Sequence, residues 1–92
     1  MKISVIFRGA IARKIEGGIV EVDLGEGCTL RELFSRILEQ NSCLQDVWNN
    51  PVEIDRDSMI LCNEVDVGVT GGLETALKNG DTLTVLPLVH GG

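Results

Sequence analysis

The sequence predicts an α+β fold in which one mixed sheet of four to five strands packs on a single main helix. Period-two stretches lie near both ends of the chain, and one amphipathic helix sits between them. The order strand, strand, helix, strand, short strand, strand then allows the final strand to return beside the first.

The first strand reads from "KISVIF", where Ile3, Val5 and Phe7 share one side. In "IVEVDL", Val20, Val22 and Leu24 alternate with Glu21 and Asp23. The connection "RGAIARKIEGG" offers Gly17-Gly18 as a hairpin turn. "CTLRELFSRILEQN" is the clearest helix. Thr29 stands at its N-cap with Glu32 in the capping-box position. Leu30, Leu33, Phe34, Ile37 and Leu38 follow the spacing of one buried face, and Asn41 is the expected stop.

The stretch from Ser42 to Asp57 is weakly patterned and contains Pro51. Structureless stretches of that length are uncommon in compact domains, so a short helical turn is expected around Leu44 to Trp48. "SMILCNEVDV" reads as a strand, a turn at Asn63-Glu64 and a partner strand from Val65 to Val67. "GVTGGLETALKNGD" is loop with one helical turn expected at Leu73 to Leu77, and Gly71-Gly72 is a turn. "TLTVLPL" closes the sheet with Leu83 and Val85 on one face. Phe7, Val22, Leu30, Leu33, Phe34, Ile37 and Leu83 are the expected core. The far face of the sheet is left bare.

Ninety-two residues without repeat or linker fit a single domain over 1–92, with a flexible tail over about 88–92. A net charge of -6 argues against direct nucleic-acid binding, which depends on neutralising phosphates. Aromatic residues are 3%, too few for base-stacking platforms. No segment has the length of a membrane span, so no membrane association is expected. Cys28, Cys43 and Cys62 are an odd set at scattered spacing, which suits reduced thiols and a cytoplasmic location rather than a disulfide framework. Their spacing also fails the four-cysteine pattern of iron–sulfur clusters, and Cys62 is expected to be buried. His90 is the only histidine, so no zinc site of histidines can be assembled, and its place on the expected flexible tail gives no basis for a Ser–His–Asp triad. Gly71-Gly72 lacks the Lys-Ser/Thr of a phosphate loop. No bound cofactor or metal is expected.

The chain closes on "LTVLPLVHGG". At about 7% glycine usage, chance puts Gly-Gly at a chain end in roughly one sequence in two hundred. The order of elements, "GCTLRELFSRI", and "LKNGDTLTVLP" followed by Gly91-Gly92 together resemble the β-grasp, ubiquitin-like sulfur carriers and small protein modifiers. These include the molybdopterin synthase small subunit, the thiamine-pathway carrier, small archaeal modifiers and the ubiquitin-related modifier. The molybdopterin-synthase subunits carry Pro-Pro where this chain has Pro87-Leu88, while Val89-His90-Gly91-Gly92 looks closer to the ubiquitin-related modifier.

The resemblance implies a substrate protein rather than an enzyme. Gly92 would be adenylated by a ubiquitin-activating-type enzyme using ATP and magnesium, then converted to a thiocarboxylate or conjugated to lysine. Gly91 and Gly92 would fit a narrow channel because glycine has no Cβ. Leu86, Leu88, Val89 and His90 are the expected contacts for partners, namely the adenylating enzyme and a sulfur-acceptor enzyme or lysine-bearing targets. The competing reading is a non-activated β-grasp interaction module with a frayed tail. Within the carrier reading, molybdopterin, thiamine and tRNA remain alternative destinations of the sulfur.

Overall fold

The computed structural model describes residues 1–88. Strands β1 (Lys2–Phe7) and β2 (Ile19–Asp23) form an antiparallel pair, followed by helix α1 (Leu30–Gln40). A short helix α2 (Pro51–Asp57) leads into β3 (Ser58–Cys62), β4 (Val65–Asp66) and β5 (Thr82–Pro87). The sheet order is β2-β1-β5-β3-β4. Only β1 and β5 run parallel, so the first and last strands lie side by side in the sheet interior. This is the expected β-grasp arrangement, with five strands.

Helix α1 starts where the sequence offers a cap. Glu32 N–H donates to Thr29 Oγ1 at 3.4 Å, and Thr29 N–H donates back to the Glu32 carboxylate at 3.2 Å. Those bonds satisfy donors that the first turn leaves orphaned. The helix ends at Asn41, whose side-chain amide donates to Ile37 O at 2.9 Å. Leu30, Leu33, Phe34 and Ile37 are fully buried. They meet the inward residues Ile3, Val5 and Phe7 of β1, Val22 of β2, Ile60 of β3, and Leu83 and Val85 of β5. All seven residues expected in the core are there.

Three local expectations are corrected and one short helix is added. Gly17-Gly18 is not a two-residue hairpin turn, because the connection winds through 3-10 segments Gly9–Lys14 and Glu16–Gly18. Ile11 and Ile15 are buried, which gives this loop a core attachment of its own. The expected helical turn at Leu44 to Trp48 is present, as a 3-10 segment over Ser42–Asp46 closed by Trp48 N–H donating to Leu44 O at 2.9 Å. The short helix α2 follows it without having been anticipated. Asn50 caps α2 by accepting Glu53 N–H at 3.0 Å, and Pro51 takes the first-turn position where no N–H is needed. β4 stops at Asp66, whose carboxylate accepts Gly68 N–H at 2.7 Å and turns Val67–Val69 into a 3-10 segment. Gly72–Glu74 is the only helical part of the Leu73–Leu77 stretch, since Ala76 bridges to Thr29 in an extended conformation.

The Leu33→Ala substitution removes a fully buried side chain at the centre of the α1 face. We expect a loss of about 2–5 kcal/mol in urea unfolding followed by Trp48 fluorescence. A loss below about 0.5 kcal/mol would show that α1 does not anchor the sheet.

Candidate functional site at the root of the C-terminal tail

Val89, His90, Gly91 and Gly92 lie outside the described residues, so the site is seen here as the platform from which they depart. That platform is the end of β5. Val85 O accepts the Arg8 N–H at 3.1 Å on the β1 side. Leu88 N–H donates to Asp57 O at 2.8 Å, which prolongs the β3 side. Hydrogen-bonding direction alternates along a strand, so Pro87, which has no N–H, faces β1. Pairing with β1 therefore stops before pairing with β3. Gly9, at φ +71, sits beside this point, where a Cβ would lie 4.0 Å from Pro87 Cδ.

Asp57 ties this root to the core. Its carboxylate accepts Trp48 Nε1–H at 3.2 Å and Arg56 Nε–H at 2.8 Å. Trp48 is buried and its ring centroid lies 6.5 Å from that of Phe7 on β1. The hydrogen bond from Arg56 holds the Asp57 carboxyl below the usual carboxylate range, partial burial pulls the other way, and the Trp48 hydrogen bond adds to the lowering.

The far face of the sheet carries an apolar surface that runs to the tail root. The register places Ile19, Ile6, Thr84 and Leu61 in one row and Leu86 beside Met59 in the next. Leu86 is half-buried, Met59 is 41% exposed and Leu88 is 61% exposed. The structure thus brings two expected contacts, Leu86 and Leu88, to the rim of a larger patch. Ile6, Ile19, Met59 and Leu61 were not anticipated, although their alternation with core residues is visible in "KISVIF" and "SMILC". Exposed apolar clusters of this kind mark association surfaces.

The cysteines do not converge. Cys28 is partly exposed and Cys43 exposed, and Cys62 is half-buried rather than buried because β3 ends there at the sheet margin. Partial burial and the nearby Asp81 carboxylate push the Cys62 thiol up to about 11, and burial with Glu32 raises that of Cys28. Neither is a ready thiolate nucleophile at neutral pH. Among the described residues, no three His, Cys, Asp or Glu side chains gather in a way that could hold a metal ion.

Residues 9–92 match the ThiS family. The chain belongs to that family. Its resemblance to the ubiquitin-like sulfur carriers therefore holds. Forty-four residues are 43% identical to the sulfur carrier protein CysO of Mycobacterium tuberculosis, a match spanning 48% of this chain and 47% of that one. This family member also resembles CysO in the Amycolatopsis orientalis BexX/CysO complex, at 32% identity and TM-score 0.67 over 98% of this chain and 99% of the other. SAMP1 of Haloferax volcanii shares the fold at TM-score 0.79 and 20% identity, with both chains covered completely.

The Asp57 geometry predicts a pH dependence. A carboxyl whose native pKa is lowered adds stability above its unfolded value of about 3.9, and that increment is lost as pH falls through the lower native value. The stability difference between wild type and Asp57→Asn should be constant near neutral pH and shrink below about pH 4. Urea titrations at both pH values would measure it. A difference that does not change with pH would remove the ionised carboxylate from the clasp.

Proposed function

We propose that this chain is a sulfur carrier whose Gly92 carboxylate is activated and thiolated by partner enzymes. The observation that carries the reading is the family match, which runs through Gly91-Gly92, beyond a strand that ends at Pro87. A carboxylate is a poor electrophile at neutral pH, so the reaction has to begin by activating it. One oxygen of the Gly92 carboxylate attacks the α-phosphorus of ATP in an adenylating enzyme, releasing pyrophosphate. Magnesium belongs to that enzyme and offsets charge on the phosphates. A hydrosulfide then attacks the carbonyl carbon, AMP leaves with the shared oxygen, and a thiocarboxylate remains.

Within this reading, the terminal carboxylate is the chain's one reacting group, and its side chains do no acid–base or nucleophilic work. They present the terminus. The clasp between Leu88 and Asp57 fixes where the tail leaves the sheet, and the Met59–Leu86 surface supplies an apolar contact for the enzyme. A sulfur-acceptor enzyme is the second partner. The solved complex of a related carrier with BexX supports a docking mode in which a carrier and a second protein associate.

Incubation with the adenylating enzyme, ATP, magnesium and sulfide should replace one carboxyl oxygen by sulfur in the C-terminal peptide, as read by mass spectrometry. Deletion of Gly92 should abolish the product and leave unfolding unchanged. Thiolation of the Gly92-deleted chain would overturn the reading. The double substitution M59S/L86S should raise KM for the carrier about ten-fold or more with kcat little changed, since it removes docking and not chemistry. An unaltered KM would exclude this surface from the encounter.

A further inference from the structure

The β1–β2 connection builds a second feature that the tail does not explain. Where the loop Gly9–Gly18 folds over the end of the hairpin, it leaves an open groove of about 680 Å³. That volume is in the range that accepts a small ligand or a few side chains of a peptide. Its apolar floor includes Ile6, Ala12, Ile15 and Ile19, and Ile19 is 50% exposed. Arg8 and Arg13 line it, both exposed, and neither makes an ion pair among the described residues. Lys14 follows immediately.

The charge pattern is unlike the rest of the molecule. The chain has 8 Lys and Arg against 14 Asp and Glu, yet three of those cations fall between Arg8 and Lys14. Glu16 is the one carboxylate lining the groove. An apolar floor between exposed guanidinium groups fits a ligand that is itself apolar at its centre and anionic at its flanks. Arginine suits this task because its planar fork binds a carboxylate through two parallel hydrogen bonds. A nucleic acid or an anionic lipid surface would extend past this loop onto the acidic body and be repelled there, whereas a short acidic segment stays within reach of the cations.

We propose that this groove binds an acidic protein segment, with one apolar side chain on the Ile6–Ile19 floor and carboxylates on Arg8 and Arg13. The site is continuous with the tail root, because Arg8 N–H bonds to Val85 O and Gly9 sits beside Pro87. A segment seated in it therefore lies next to the exit of β5. The proposal goes beyond the carrier reading, since residues 6–19 form the groove whatever the chemistry at Gly92.

The test uses the full chain, isotope-labelled, titrated with a short capped peptide of one phenylalanine flanked by glutamates. Its lysine counterpart serves as the control. Amide shifts should concentrate between Arg8 and Ile19 for the acidic peptide and be absent there for the basic one. Raising salt from about 50 to 300 mM should weaken binding about five-fold or more, and R8E/R13E should do the same at low salt. R8Q/R13Q, which removes charge without reversing it, supplies the comparison if the reversal disturbs the loop. K78E, at the other end of β5, should leave affinity unchanged. Equal binding of the two peptides, shifts located elsewhere, or self-association through the groove in place of peptide binding would each overturn the proposal.

Discussion

Everything in this molecule rests on the parallel pairing of β1 with β5. Parallel neighbours cannot be joined by a tight turn, so the intervening chain must cross a face of the sheet before returning. Helix α1 makes that crossing and buries Leu30, Leu33, Phe34 and Ile37 against the two central strands. Ile3, Val5, Leu83 and Val85, the inward residues of those strands, are all fully buried. Because β1 and β5 are neighbours, the β1–β2 loop necessarily lies beside the point where the chain's C-terminal segment leaves. The proximity of Arg8, Gly9 and Pro87 follows from topology rather than from any local attraction.

Placement, more than reactivity, distinguishes the site. The thiols that might have suggested chemistry are scattered, and two of them are held in their neutral form by burial and adjacent carboxylates. What the fold does supply is a rigid end to β5, an apolar face beside it and a positively charged loop on its other flank. Such features let a protein be recognised and handled by others. They agree with membership of the ThiS family and with the proposed role as a substrate.

The parts of this design that were legible in sequence are those governed by strong periodicity. The capping box and apolar stripe of α1, the alternation in β1 and β5, and the return of the last strand all follow from side-chain pattern. Helix α2 escaped because it is short and buries a single residue, Ile54, so it has no stripe to read. Its signal was the Asn50-Pro51 pair followed by Glu53, a cap without a periodic body. The β1–β2 loop escaped because Gly17-Gly18 offered a simpler turn, while the decisive burial of Ile11 and Ile15 depends on the finished core. At the site, Leu86 and Leu88 could be chosen from their place near the chain end. The role of Asp57 could not, since its key contact with Leu88 is made by backbone atoms and leaves no mark in residue type.

The asymmetric end of β5 also decides how the molecule bears load. Pro87 cannot bond to β1, whereas Leu88 still bonds to Asp57 at the start of β3. Tension applied to the tail by any protein that grips it thus meets the β3 side of the sheet first. It passes through Asp57 to the buried indole of Trp48 and into β3, whose outer neighbour β4 is only two residues long. The β1–β2 hairpin is loaded further back along β5, through the bond from Arg8 N–H to Val85 O. Under force, the bond between Leu88 and Asp57 would be the first to bear the strain, ahead of the pairing that holds the hairpin and its charged loop.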